Sequence, residues 1–308
     1  MDGNENITGR PVRMLSLSFD GLELPAVEKM IHEESREKTD LILLPESWTG
    51  PEGFETLEGP TFQAMAKAAR QNQAYLLCTL PRLDGGIRYT SAVLFDRQGE
   101  VAGIYDKTFP YWNELTLDPP VSPGQAAPVW QTDFGRLGAA VCFDMNFPEV
   151  WQQLADQEAE LVAWSSAVSG GLSLQAQAIQ HHYYIFTANL SGDCTLFDIC
   201  GEIALYKQPQ SVNACRTTVD LDRGIYHFNF NLEKLDLLLA EHGEDVAVDR
   251  WLANEEWFVL KACRPGVSAR GLAKEYGLEQ LRDYIRRSRE EIDRRRGGKL
   301  VVGANPIR

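Results

Sequence analysis

Three reactive side chains, Glu46, Lys107 and Cys142, each stand just past a short apolar run: Leu41-Ile-Leu-Leu44, Val101-Ala-Gly-Ile-Tyr105 and Leu137-Gly-Ala-Ala-Val141. Residues beyond the carboxyl ends of buried strands meet at one edge of a sheet, where α/β proteins build their sites. A thiol is mostly protonated at neutral pH, so a nucleophilic cysteine needs a base to take its proton and a cation to favour the thiolate. Glu46 has the chemistry of the base and Lys107 that of the cation. Singly, each residue is ordinary. A cysteine closing a buried strand is more often an inert small apolar side chain, and a Glu or Lys after a strand is commonly a solvated loop residue. The joint occurrence of all three at strand ends is what points to chemistry.

The elements that must position them follow from hydrophobic pattern. Short apolar runs alternate with amphipathic stretches over the first two hundred residues, which predicts a layered α/β arrangement. Strands are expected over 12–19, 41–44, 74–80, 91–95, 101–105, 136–142, 161–164 and 184–190, and helices over 25–38, 61–71, 148–157 and 174–182. Pro25 and Pro148 suit first helical turns. The segment Asp96-Arg-Gln-Gly-Glu100 suits a hairpin. Two such strand-helix-strand halves give two sheets, each with helices on its outer face. From about Asp222 the pattern turns helical and charged, ending in 278–296, where arginines interleave with Asp283, Glu290, Glu291 and Asp293. That mixture predicts a solvated helix face or a subunit contact.

Composition narrows the function classes. A chain of 308 residues, 44% hydrophobic, can bury a large core. A net charge of −14 argues against nucleic acid, where affinity comes from Lys and Arg neutralising phosphates. No apolar run reaches the ~18 residues of a membrane span, and the polar, acidic N-terminus is unlike a leader. Six cysteines, none in a C-x-x-C pair or at metal-ligand spacing beside a histidine, predict free thiols in a reducing cytoplasm and no metal or other cofactor. His181-His182 invite a Cys-His reading in which imidazole would activate Cys142, but nothing else in the sequence supports it, and metal binding by the pair is disfavoured because adjacent helical residues point in different directions.

Four ordered segments carry a resemblance. Leu43-Leu-Pro-Glu46, Tyr105-Asp-Lys107, Pro110-Tyr-Trp-Asn-Glu114 and Val141-Cys-Phe-Asp-Met-Asn-Phe-Pro-Glu149 resemble, in content, order and spacing, the motifs of the nitrilase superfamily. The resemblance spans roughly residues 10–225. It implies a four-layer α-β-β-α sandwich, here with a C-terminal helical extension, and divides the chain into a carbon-nitrogen hydrolase domain, 1–225, and an extension, 226–308, packing on that domain or on a partner subunit. It also implies a Glu46-Lys107-Cys142 triad with Glu114 as second glutamate, and assembly as a homodimer or larger homo-oligomer. The expected reaction is hydrolysis of a non-peptide carbon-nitrogen bond of a small-molecule amide or carbamoyl substrate through a thioester.

Around that core, Tyr111 and Trp112 are expected to line the pocket, and Phe143 to offer its backbone N–H to the developing charge. Glu114 has two readings, one orienting the hydrolytic water and one fixing Lys107 by charge. Asp144 and Glu149 read as structural, a turn hydrogen bond and a helix N-terminus respectively. Phe143-Asp144 after the cysteine resembles amidase-like and carbamoylase-like branches more than branches acting on nitriles. Residues 192–198 fit the family's Gly-x-Ser pattern only with Cys194 in place of serine, and the loop before them is nearly absent. Nitrile hydrolysis, acyl transfer to an amine by the same triad, and a non-catalytic binding role are the competing readings.

Overall fold

The computed structural model describes residues 8–300 and divides the chain into two compact units, Pro11–Leu221 and a second that begins at Asp222. In the larger unit, chain order runs β1 (Pro11–Phe19), α1 (Leu24–Glu34), β2 (Leu41–Glu46), α2 (Pro60–Asn72), β3 (Tyr75–Asp84), β4 (Ile87–Phe95) and β5 (Val101–Asp106). It continues through α3 (Trp112–Leu115), β6 (Val129–Gln131), β7 (Arg136–Val141), α4 (Pro148–Asp156), β8 (Leu161–Ser166), α5 (Leu172–His181) and β9 (Tyr184–Asn189). Strands β10 (Cys194–Phe197), β11 (Ile203–Lys207) and β12 (Val212–Asp220) complete it.

Two six-stranded sheets result, ordered β12-β1-β2-β3-β4-β5 and β11-β10-β9-β8-β7-β6. The centre of each is parallel, β1-β2-β3 in one and β7-β8-β9 in the other, and antiparallel strands finish both edges. Parallel strands covered on both faces read as continuous apolar runs, which is why β2 and β8 carry no alternation and are buried throughout.

β1 shows how one strand serves two layers. Leu15, Leu17 and Phe19 join the core formed with Val27, Ile31, Phe62 and Met65 of α1 and α2. The intervening serines face the other sheet: Ser16 Oγ donates to the Thr187 carbonyl at 2.6 Å, and Ser18 Oγ accepts from the Asn189 amide at 3.1 Å. Ser165 Oγ reciprocates by donating to the Leu44 carbonyl at 2.9 Å. These buried bonds fix the sheets in register, because an unpaired hydroxyl in that layer costs about 1–3 kcal/mol. With α4 and α5 against β7 and β9, the layers are α-β-β-α.

Strands β10, β11 and β12 fall where the sequence shows only polar or mixed runs. After β9 the chain reverses through a tight turn at residues 190–193, with Gly192 at φ +81, directly into antiparallel β10. The short connection noted in the sequence is therefore a hairpin, and Cys194 is a buried strand residue.

The second unit departs from the helical expectation. It contains β13 (Gly224–His227), α6 (Leu232–His242), β14 (Val246–Leu252), β15 (Trp257–Ala262), α7 (Ala269–Glu275) and α8 (Leu281–Arg296), with an antiparallel sheet ordered β13-β15-β14. Its own core unites Tyr226, Leu235, Leu238, Val246, Phe258 and Leu260. Charged residues such as Asp249, Arg250 and Lys261 interrupt these strands, since one face of a small sheet needs no apolar partner, and that masks their period. Helix α8 is ionic as expected: Glu291 holds both Arg294 and Arg295, and Glu279 holds Arg287.

Candidate active site

The carboxyl ends of β2, β5, β7 and β8 deliver Glu46, Lys107, Cys142 and Ser166 to one region of the sandwich. Lys107 sits one residue past β5, with its amide donating to the Thr90 carbonyl and its carbonyl accepting from the Gly124 amide. Its ammonium is almost fully buried and donates to Glu46 Oε1 at 2.7 Å and to Glu114 Oε2 at 2.7 Å. Burial alone would pull the lysine pKa down, but the charges of Glu46, Glu114 and Cys142 outweigh it and hold the value above its ordinary level. The site keeps a permanent cation.

Both carboxylates are fixed by further donors. Glu46 Oε2 accepts from the Ala167 amide at 3.1 Å. Glu114 Oε2 also accepts from the Tyr111 amide at 2.6 Å, while Glu114 Oε1 accepts from the Thr90 hydroxyl. Glu114 thus lies in the first turn of α3 with its side chain folded back on the helix start.

Cys142 opens a 3-10 turn, Cys142–Asn146, between β7 and α4, and has φ +43. A positive φ in a non-glycine residue is uncommon and costs on the order of 1–3 kcal/mol, a strain that clusters at active sites. Ser47, directly after Glu46, carries φ +49. Burial and the adjacent Glu46 carboxylate push the Cys142 thiol up to about 11, against the opposing pull of Lys107 and of hydrogen bonds from Ser166 and the Ala167 backbone. The resting thiol is protonated at neutral pH, so attack requires a base in contact with it.

Asp144 is buried behind the cysteine. Its Oδ2 accepts from the Val141 amide at 2.8 Å and from the Tyr105 hydroxyl at 2.8 Å, and its Oδ1 from the Phe109 amide at 3.2 Å. Burial lifts its carboxyl to about 6 despite these donors. The turn hydrogen bond expected for Asp144 is present, and it extends to the segments on both sides of Lys107. Glu149 lies exposed in the first turn of α4.

A cavity of about 580 Å³ opens over this cluster, lined by Glu46, Lys107, Glu114 and Cys142 together with Tyr111 and Phe143. Those two rings meet edge to face at 5.4 Å. Trp112, by contrast, is 70% exposed and is not among the lining residues. At the N-terminus of a four-residue helix, consecutive side chains diverge, so Tyr111 turns in while its neighbour does not. His182 is also remote from the cavity: it caps α5 at φ +57, with Nδ1 3.3 Å from the Ile199 carbonyl.

Met145 lies within the motif around the cysteine, whereas Thr90, Ser166, Ala167, Leu117, Val168 and Leu190 belong to the site without a recognisable signal in the sequence. They arrive from elements paired only in three dimensions. Among the described residues no group of three or more His, Cys, Asp or Glu side chains is placed to hold a metal ion, and no helix is long and apolar enough to cross a membrane.

The α-β-β-α sandwich with a Glu-Lys-Glu cluster beside a cysteine on a strained turn defines the class of protein, and comparison with known proteins gives the family. The sequence model of the carbon-nitrogen hydrolase family matches residues 23–223. The chain belongs to this family, within the nitrilase superfamily, and is a carbon-nitrogen hydrolase. It is 29% identical over 189 residues to a probable nitrilase of Schizosaccharomyces pombe, covering 55% of this chain and 68% of that one. It is 29% identical over 185 residues to a formamidase of Bacillus cereus, covering 53% and 54%. Among solved structures, the fold matches an amidase from Nesterenkonia with a TM-score of 0.63 at 20% identity, over 71% of this chain and 94% of that one. It matches Saccharomyces cerevisiae Nit3 with a TM-score of 0.61 at 18% identity, over 69% and 91%.

Proposed function

We propose that the protein hydrolyses the amide bond of a small molecule through a thioester on Cys142. The observation that carries this reading is the Lys107 ammonium held at 2.7 Å by both Glu46 and Glu114 in the cavity that Cys142 lines. A thiol at about 11 cannot ionise unaided at neutral pH, and Glu46 is the carboxylate whose charge acts most strongly on it.

Glu46 takes the thiol proton as Sγ attacks the carbonyl carbon, and the carbonyl π pair moves to oxygen. Lys107 keeps one N–H beyond the two donated to carboxylates, and that N–H meets the oxyanion together with the Phe143 amide in the first turn after the cysteine. Collapse reforms the carbonyl and breaks the carbon-nitrogen bond, with the proton on Glu46 passing to the leaving nitrogen. Water then gives a proton to Glu46 and attacks the thioester. The acid departs and the thiol regains its proton. Glu114, anchored by Thr90 and the Tyr111 amide, positions Lys107 and orients that water.

The relatives carry both names, nitrilase on one side and formamidase or omega-amidase on the other, and the Phe143-Asp144 sequence after the nucleophile is what favours amide over nitrile chemistry. The test is ammonia release across short aliphatic amides, ω-amides, N-carbamoyl amino acids and nitriles, with Cys142→Ala as blank. Amide turnover absent from the blank is the expected result. Turnover of nitriles alone, or equal release by the blank, sinks the reading.

A further inference from the structure

Resting on the amidase reading, we infer that the substituent carried by the substrate's amide is uncharged and largely apolar, several carbons long, and not a carboxylate. Outside the reacting cluster the cavity wall is built from Leu117, Phe143, Met145, Val168 and Leu190 with the ring of Tyr111. Lys107 is the one cation among the described residues that line it. Two of its three N–H groups are committed to Glu46 and Glu114, and the third is what remains for the reacting carbonyl oxygen.

A carboxylate at the far end of a substrate would therefore leave water without a partner of opposite sign. It would also face two fixed carboxylates, on a chain whose net charge is −14. The neutral polar groups on the wall, Ser47, Asn113 and the Tyr111 hydroxyl, with Thr90 donating to Glu114, can serve a hydroxyl or an ether but cannot offset a full charge. Size points the same way. At ~30 Å³ per water the 580 Å³ space holds on the order of twenty waters, far more than a one-carbon amide would displace. Apolar contact with the wall rewards each added methylene by about three- to four-fold in affinity.

The experiment compares hexanamide, the same chain ending in a carboxylate (adipic acid monoamide), and the methyl ester of that acid. Binding is measured by calorimetry on Cys142→Ala, and kcat/KM on the unaltered protein. The neutral amide and the ester are expected to bind about 100-fold or more tightly than the acid, with kcat/KM following the same order. Affinity is expected to rise from acetamide to hexanamide. Val168→Arg, which places a cation at the half-exposed end of the wall, is expected to reverse the order. Equal or tighter binding of the acid, or no gain with chain length, overturns the inference even if the amide is hydrolysed. Selective binding by Cys142→Ala without any turnover by the unaltered protein leaves the inference standing and overturns the amidase reading instead.

Discussion

The Tyr105 hydroxyl donates to Asp144 Oδ2 at 2.8 Å, so a strand residue two positions before the lysine holds the turn that begins with the cysteine. Neither residue lines the cavity, yet their bond joins the two backbones whose relative placement sets the distance from Lys107 to Cys142. Asp144→Asn is expected to lower kcat about 10- to 100-fold with little change in KM, since a small misplacement of reacting groups costs about that much. Tyr105→Phe removes one bond, worth about 1 kcal/mol, and is expected to have a smaller effect. A kcat in Asp144→Asn within twofold of the unaltered protein would falsify the positioning role.

The same carboxyl gives a pH signature. Asp144 titrates near 6 in the folded chain and near 3.8 when exposed. Between those values the unfolded chain loses its proton while the folded chain keeps it, so this group's contribution to stability is full below pH 4 and is lost as pH rises to 6. The loss amounts to about 3 kcal/mol. Urea unfolding of the protein and of Asp144→Asn across pH 4 to 7 checks this: the difference between them should shift in favour of the variant up to pH 6 and then level off. A pH-independent difference would show that the carboxyl is not held protonated.

Alkylation of Cys142 by a neutral electrophile should accelerate with pH up to an inflection at about 11. Glu46→Gln removes a charge that raises the thiol and is expected to lower the inflection, while amide turnover falls about 10²- to 10⁴-fold through loss of the base. Lys107→Met is expected to do the opposite to the inflection and to cost on the order of 3 kcal/mol of transition-state stabilisation. Turnover in Glu46→Gln that tracks its easier ionisation would remove the base assignment.

Glu114 offers a way to separate the two half-reactions. Glu114→Gln is expected to slow thioester hydrolysis more than its formation, so that a Cys142 adduct with the mass of the acyl group accumulates in quenched intact-protein mass spectrometry. Thr90→Val, which removes one anchor of that carboxylate, should show the same adduct at roughly a tenth of the effect. If both variants keep full turnover and carry no adduct, Glu114 serves neither role assigned to it.

Gly124 tests the backbone around the lysine. Its amide donates to the Lys107 carbonyl at 3.0 Å, and a Cβ there would lie 1.9 Å from the Asp106 carbonyl oxygen. Gly124→Ala is therefore expected to destabilise by about 1–3 kcal/mol and to lower kcat, whereas Gly298→Ala, in open space, changes neither. Thermal unfolding and steady-state rates on the two variants decide it.

Much of the sandwich was legible. Leu41-Ile-Leu-Leu44 and Leu161-Val-Ala-Trp164 are buried on both faces, and continuous apolar runs announce such strands directly. Prolines 25, 60 and 148 sit at helix starts because their missing N–H has no partner to lose there. β11 and the strands of the second unit were not legible, since a sheet with one open face tolerates charge at alternate positions. Tyr111 and Trp112 show the same limit in the site: equal in type and adjacent in sequence, one lines the cavity and the other faces solvent.

By itself, the sequence placed Glu46, Lys107 and Cys142 just past apolar runs that a layered α/β chain brings together, while Glu114 entered only through the resemblance of Pro110-Tyr-Trp-Asn-Glu114 to a family motif. The sequence could place the first three because burial dictates residue type along a strand and turns expel the residues that follow. Only the tertiary structure decided that the lysine bridges two glutamates and that Thr90 anchors one of them. The remote Tyr105–Asp144 bond and the apolar wall were likewise beyond the sequence. Those relationships depend on which strands pair and how two sheets face, and no local pattern encodes a contact between segments sixty residues apart.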